Sequence, residues 1–146
     1  MKEKIMVSAC LLGENCKYNG GNNYCKEVLD FIKDKEVILI CPEVMGGLST
    51  PRVPCEIVEG KVINKEGEDK TFEYEKGAQI ALNLALKNDV KRAILKAKSP
   101  SCGVGRVYDG TFSNTLIKGN GICANLLKKH GILVYSENDI KEETKK

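Results

Sequence analysis

The sequence predicts an α/β protein: a single-domain, Rossmann-like parallel sheet of about four strands flanked by helices, with a small β-hairpin insertion. Short apolar runs typical of strands alternate along the chain with longer segments of helical periodicity. Because a parallel connection needs a crossover of about a dozen residues, this alternation favours a parallel sheet. The predicted domain covers residues 1–140, and residues 141–146 form a polar C-terminal tail.

The predicted strands are short and rich in branched apolar residues. They cover residues 5–7, 37–40, 92–97 and 132–135. The run 37–40 is continuously apolar, which is typical of a strand buried on both faces. A small hairpin is predicted around Glu59 and Gly60, between the apolar segments 56–58 and 61–63.

Three helices are predicted from apolar residues at helical spacing. They run from Asn22 or Asn23 to about Ile32, from Thr71 to about Asn88, and from about Ile122 to His130. Asparagine and threonine at these starts can cap a helix, and Gly131 closes the third one. Glycine and proline in the remaining segments indicate loops, which cover residues 10–23, 43–54 and 98–120.

The composition argues against several classes of protein. No apolar run in the 146 residues approaches the roughly 20 residues that cross a bilayer, so no membrane insertion is predicted. The net charge of +3 is mild and argues against a dedicated nucleic-acid surface. The seven cysteines are odd in number and nothing else indicates secretion, so a cytoplasmic, reduced setting is predicted.

Cys10, Cys41 and Cys102 each stand just beyond a predicted strand. The carboxyl ends of parallel strands share one edge, where open α/β folds build their sites. Three thiolates can converge there on one metal centre and leave an open coordination position for a substrate. Thiolates suit zinc or an iron-sulfur cluster, but the lack of a Cys-x-x-Cys pair weakens a structural zinc site. Unrelated buried or redox-active cysteines are a competing interpretation.

The other four cysteines have different settings. Cys16 lies in the same predicted loop as Cys10 and is a candidate fourth ligand, which would close the site and make the centre structural or electron-transferring. Cys25 and Cys123 fall in predicted helices, and Cys55 falls at a strand start. These three are predicted to pack in the core as small apolar side chains.

Few residues offer acid–base chemistry. The single histidine, His130, is predicted at a helix end on the surface, so a Cys-His pair is not favoured. Glu43, two residues after Cys41, is the carboxylate best placed beside the thiolates, and it is equally interpretable as a solvated loop acid. Ser101, next to Cys102, can position a substrate or hydrogen-bond a cluster sulfur, but serine is also ordinary in a turn.

Three ordered motifs surround the strand-end cysteines. They are Val-Ser-Ala-Cys-Leu-Leu-Gly at 7–13, Cys-Pro-Glu-Val-Met-Gly-Gly-Leu-Ser-Thr-Pro-Arg at 41–52 and Lys-Ala-Lys-Ser-Pro-Ser-Cys-Gly at 96–103. Together they resemble the DUF523 family of small bacterial and archaeal proteins. The likeness extends over almost the whole chain, including the segments 116–121 and 131–137.

The resemblance implies a 4Fe-4S cluster held by Cys10, Cys41 and Cys102, with one iron that has no protein ligand. It further implies a desulfidase that binds the sulfur of a thiolated pyrimidine such as 2-thiouracil at the open iron. The products are the oxo-base and hydrosulfide, without net redox change at the substrate carbon. Glu43 matches the carboxylate expected to assist proton transfer, and Ser101 matches the polar neighbour expected to help catalysis.

Two other interpretations remain open from the sequence. One is a non-catalytic metal-binding or sulfur-carrier protein whose site is closed by Cys16. The other has all seven cysteines inert in a core. For the family interpretation, the implied partner is a small thiolated nucleobase. The composition predicts no membrane partner and argues against a nucleic-acid partner.

Overall fold

The computed structural model describes residues 2–144 and contains within them eight strands and five α-helices. The strands are β1 (Lys4–Ser8), β2 (Glu36–Ile40), β3 (Cys55–Val58), β4 (Lys61–Asn64), β5 (Arg92–Leu95), β6 (Arg106–Tyr108), β7 (Leu116–Lys118) and β8 (Leu133–Ser136). The helices are α1 (Lys26–Phe31), α2 (Pro42–Met45), α3 (Thr71–Lys87), α4 (Ile122–Lys129) and α5 (Glu137–Thr144). A short 3-10 helix, Ala9–Leu12, follows β1 directly.

Four parallel strands form the central sheet, in the order β2-β1-β5-β8. β1 is central and pairs with β2 along its full length, from Lys4 opposite Glu36 to Ser8 opposite Ile40. The hairpins β3–β4 and β6–β7 form two separate antiparallel ribbons. The predicted α/β class with a four-stranded parallel sheet and a hairpin insertion is confirmed. The strand order, which the sequence left open, follows from these pairings.

Helices cover both faces of the sheet. Met6 and Leu95 point to one face, into a core that includes the buried side chains of α3 and α4. Val7 and Ile94 point to the other face, where α1 and α5 complete a second core. This alternation follows from the two-residue period of a strand. Among the helices of residues 2–144, none has the length and apolar character that a membrane span requires.

β2 departs from the prediction that the run 37–40 is buried on both faces. It lies at one edge of the described sheet, and the Leu39 side chain is 43% exposed. An apolar run does not distinguish a central strand from an edge strand, because both can consist of branched apolar residues. The prediction of a strand is confirmed, and the prediction of its burial is wrong.

The predicted hairpin is confirmed, and a second hairpin and the helix α2 lie in segments predicted as loops. Glu59 and Gly60, between β3 and β4, have φ values of 50° and 82°, as a tight hairpin turn requires. The second hairpin, β6–β7, lies within 98–120, but its three-residue strands are too short to show an alternating pattern. α2 is only four residues long and begins with Pro42, which suits the first position of a helix.

The three predicted helices are confirmed as α1, α3 and α4, but two of their caps differ. Cys25, not either predicted asparagine, is the residue before α1, and Lys70 rather than Thr71 precedes α3. Thr71 Oγ1 instead accepts a hydrogen bond from the backbone N–H of Val62 at 2.9 Å. This bond joins the start of α3 to β4.

The C-terminal helix α5 crosses the boundary predicted at residue 140. It extends to Thr144, so residues 141–144 of the predicted polar tail are helical. Lys145 and Lys146 lie outside the described residues. The division into a domain over 1–140 and a tail over 141–146 remains a prediction.

α2 and α3 approach each other at two glycines, Gly46 and Gly77. A Cβ at Gly77 would overlap the backbone carbonyl of Pro42, and a Cβ at Gly46 would overlap that of Glu73. Glycine is therefore required here for close approach of the two backbones. Because α2 carries Glu43 on its first turn, this contact fixes the position of that carboxylate relative to α3.

We expect Gly77→Ala to lower the free energy of unfolding by about 2 kcal/mol, because overpacking outweighs the roughly 1 kcal/mol gain in helix propensity. Lys76→Ala, an exposed substitution in the same helix, serves as the control and should stay close to wild type. Urea denaturation of the three proteins measures the difference. A Gly77→Ala protein at least as stable as wild type would show that the backbone contact is not tight.

Candidate active site

A cavity of about 490 Å³ lies at the carboxyl-terminal edge of the sheet, where β1, β2 and β5 end. Cys10 lies in the 3-10 helix after β1, Cys41 is the first residue after β2, and Cys102 lies in the loop after β5. All three line this cavity. The fold thus brings together the three cysteines that the sequence places just beyond strands.

A fourth thiol, that of Cys16, lies between two of them. Hydrogen bonding with Cys16 lowers the pKa of Cys10, and it lowers the pKa of Cys41 to about 7. The same two interactions raise the pKa of Cys16 well above its usual value. Cys16 therefore favours thiolate at its two neighbours, and its backbone oxygen lies 3.8 Å from Cys41 Sγ.

Cys10 and Cys102 differ in what surrounds their sulfurs. Asn23 Nδ2 donates to Cys10 Sγ at 3.4 Å, whereas burial raises the pKa of the Cys102 thiol. Hydrogen bonds to ligand atoms orient a metal site and tune it, so the Asn23 amide suits a Cys10 thiolate that binds metal.

Glu43 lines the same cavity, and one of its oxygens is held by two donors. Tyr74 Oη and Arg52 Nε donate to Glu43 Oε1 at 2.8 Å and 3.0 Å. The other oxygen, Oε2, lies 3.5 Å from the hydroxyl of Ser99. Because the Glu43 side chain is only 16% exposed, the interpretation of Glu43 as a solvated loop acid is wrong.

Arg52 connects three segments of the cavity wall. Besides its ion pair with Glu43, Nη2 donates to the backbone oxygen of Cys16 at 2.9 Å. Nη1 donates to the Ser49 backbone oxygen and to Thr50 Oγ1 at 3.1 Å and 3.0 Å. The guanidinium group is thus engaged with the protein on all its nitrogens, and the Arg52 side chain is only 8% exposed.

Two serines near Cys102 have different settings. Ser101 is fully buried, and among the described residues its hydroxyl has no hydrogen-bond partner. Ser99 lines the cavity, and its hydroxyl oxygen accepts hydrogen bonds from the backbone N–H groups of Ser101 and Cys102 at 3.0 Å each. Ser99, which the sequence did not single out, therefore shapes the turn that carries Cys102 and contacts Glu43 as well.

The remaining predicted residues lie mostly away from this cavity. Cys25 and Cys123 are buried in the two cores, and burial raises the pKa of Cys123 to about 12. Cys55 is buried beside Tyr74, as predicted, but it also lines the cavity. His130 is exposed at the end of α4, with Nδ1 3.1 Å from the backbone oxygen of Leu126.

The chain matches a family model along nearly its whole length. The model, that of the 2-thiouracil desulfurase family, covers residues 5–139. The chain belongs to this family. A relative, the uncharacterized protein YbbK of Bacillus subtilis (strain 168), is 40% identical over 148 residues, which cover 94% of this chain and 98% of YbbK.

A solved structure shows the same architecture. It is that of the [4Fe-4S]-dependent thiouracil desulfidase TudS, which carries the label DUF523. It is 43% identical to this chain, with a TM-score of 0.91, and the match covers 97% of this chain and 95% of TudS. The family membership that the three motifs indicate is thereby confirmed.

We expect Arg52→Met to lower the free energy of unfolding by about 3 kcal/mol, since it leaves a largely buried carboxylate without its cation. Chemical denaturation of the wild type and of both arginine variants measures the difference. Arg106→Met, at an exposed arginine, is the control, and equal effects of both variants would contradict the assignment.

Proposed function

We propose that this protein is an iron-sulfur-dependent desulfidase that removes sulfur from a thiolated pyrimidine such as 2-thiouracil. The observation that carries the proposal is that Cys10, Cys41, Cys102 and Glu43 all line one cavity at the carboxyl edge of the sheet. Family membership and the match to a thiouracil desulfidase over 97% of the chain support the same activity.

The donor set of the cavity fits a 4Fe-4S cluster. Cys10, Cys41 and Cys102 line one cavity, and thiolates are the usual ligands of iron-sulfur clusters. Each of the three cysteines would hold one iron. When bound, such a cluster supplies a Lewis acid that polarises the thiocarbonyl group.

The buried hydroxyl of Ser101 offers a second test of fit. A buried hydroxyl without a partner is costly, and native proteins contain few of them. In the described part of the chain, Ser101 Oγ is such a buried hydroxyl without a partner, one residue before Cys102. Because Ser101 is not among the residues that line the cavity, this test does not place its hydroxyl at the cluster, and the catalytic role of Ser101 stays a prediction of the family resemblance.

The proposed reaction is a hydrolysis. Water adds to the thiocarbonyl carbon, the carbon–sulfur bond breaks, and the products are the oxo-base, hydrosulfide and a proton, so no oxidant or reductant is needed. Glu43 accepts a proton of the attacking water through Oε2, because its other oxygen is already engaged by Tyr74 and Arg52. These two donors orient the carboxylate.

The proposed partner is a free small-molecule base, and the proposed setting is the cytoplasm. A cavity of about 490 Å³ is large enough to enclose a single pyrimidine ring. The mild net charge of +3 does not favour a nucleic acid as the substrate. The odd number of cysteines supports a reducing compartment, in which their thiols stay available.

One observation favours a second candidate, a non-catalytic metal-binding or sulfur-carrier protein. Cys16 interacts with the sulfurs of Cys10 and Cys41, so it lies close enough to the site to be considered as a fourth ligand. A site with four protein ligands would leave no open position for a substrate. The two candidates therefore differ in whether metal binding depends on Cys16.

We expect anaerobic reconstitution to give a brown protein whose iron and sulfide are lost in Cys10→Ala, Cys41→Ala and Cys102→Ala. Cys55→Ala is the matched control, because Cys55 is buried and lines the same cavity without holding the cluster. Iron, sulfide and visible absorbance are measured. Cys16→Ser should keep its iron, and loss of iron in this variant would favour the second candidate. Retained cluster and activity in Cys41→Ala combined with Cys102→Ala would exclude the proposed site.

We expect Glu43→Gln to keep its cluster and to turn over 2-thiouracil about 10² to 10⁴ times more slowly, which is the usual contribution of a general acid–base group. The amide oxygen can still accept from Tyr74 and Arg52, and the iron content of the variant checks that the site is intact. Glu14→Gln, an exposed carboxylate of the Cys10–Cys16 loop, is the control. An unchanged rate in Glu43→Gln would remove Glu43 from the reaction.

A further inference from the structure

The tip of the β6–β7 hairpin forms part of the wall of the same cavity. Tyr108, Phe112 and Asn114 line it together with the cysteines. The intervening odd-numbered residues hydrogen-bond one another in a chain that runs from Asp109 through Thr111 and Ser113 to Thr115. The loop thus has two sides, one ordered by its own polar groups and one that contributes two aromatic rings and an amide to the cavity.

A buried carboxylate ties this loop to β3. Glu56 is only 8% exposed, and its Oε1 accepts the backbone N–H groups of Gly110 and Phe112 at 3.0 Å and 3.1 Å. A Cβ at Gly110 would lie 2.8 Å from the backbone oxygen of Ile57, so the loop rests directly on the strand. Because a buried carboxylate requires such donors, Glu56 holds the loop in place.

The backbone at Phe112 is held in an uncommon conformation. Its φ is 56°, in the left-handed region that aromatic residues rarely occupy, and the neighbouring Asn114 has a φ of 62°. The hydrogen bond from the Phe112 N–H to Glu56 stabilises this conformation. Residues in such conformations persist where the surrounding structure constrains them, often at ligand sites.

We propose that Phe112 and Asn114 are the residues that select a planar heterocyclic thioamide at this site, with Tyr108 as an aromatic side wall. The inference rests on the proposed function and adds the means of substrate recognition. A heteroaromatic ring stacks on an aromatic face, and the carboxamide of Asn114 can pair with adjacent ring N–H and carbonyl groups. The hairpin then positions the ring while the cysteine side of the cavity carries the chemistry.

The test compares Phe112→Leu with wild type in the reconstituted protein. We expect uracil, which has no sulfur and so cannot turn over, to bind about tenfold more weakly, as measured by calorimetry. The KM for 2-thiouracil should rise by a similar factor while kcat stays within twofold. Phe112→Tyr should restore both values, and Phe72→Leu, at an aromatic residue 74% exposed on α3, should change neither.

A second variant tests the contribution of the Asn114 carboxamide independently of the order of the loop backbone. Asn114→Gly removes the carboxamide but accepts the positive φ, so we expect about tenfold weaker uracil binding with the loop intact. Ser113→Gly is the control, because it loosens the same loop on its other side without removing a cavity residue. An equal loss of uracil affinity in both variants would show that the affinity depends only on the order of the loop. That result would overturn the role of Asn114.

The outcomes also separate this inference from the proposed function. Uracil binding that depends on Phe112, without turnover of 2-thiouracil, would support the recognition site and contradict the desulfidase. Turnover with an unchanged KM in Phe112→Leu would support the desulfidase and overturn the recognition site. No uracil binding to the wild-type protein would also overturn it.

Discussion

The carboxylate of Glu43 is the group on which the arrangement of the site depends. It accepts hydrogen bonds from three side chains: Tyr74 on α3, Arg52 in the loop after α2, and Ser99 in the loop that carries Cys102. Arg52 reaches on to the backbone of Cys16, so the loop after β1 belongs to the same network. Since a largely buried charge is stable only when it is paired and hydrogen-bonded, these segments are held in one mutual position.

The sequence predicts the sheet well because its signals are local. Short branched runs followed by helical periodicity predict the strands and the three longer helices without knowledge of their neighbours. The edge position of β2 and the strands β6 and β7 are not local properties: the first depends on the strand order, and the others contain too few residues to form a pattern. The same limit applies to α2, whose four residues resemble a loop.

The site is predictable to the extent that its residues adjoin strand ends. Cys10, Cys41, Cys102 and Glu43 can be selected because each lies at or near the end of a strand that reaches the shared edge. Tyr74 appears in the sequence only as one residue of a helical face. Its contact with Glu43 depends on the close crossing of α2 and α3 at two glycines, which no local pattern predicts.

The ligand residues and the substrate-facing residues lie on different kinds of structure, and this has a physical consequence. Cys10 and Cys41 lie within two residues of the ends of paired strands, so the sheet holds them, and Cys102 lies on the loop after β5 in a turn that the Ser99 hydroxyl shapes. Phe112 and Asn114 lie on a hairpin that a single buried carboxylate, Glu56, ties to β3. Substitutions in the hairpin can therefore alter which ring is accepted without moving the thiols. Conversely, the strain at Phe112 can be tolerated because it lies outside the sheet and is stabilised locally, where it does not weaken the pairing on which the cysteines depend.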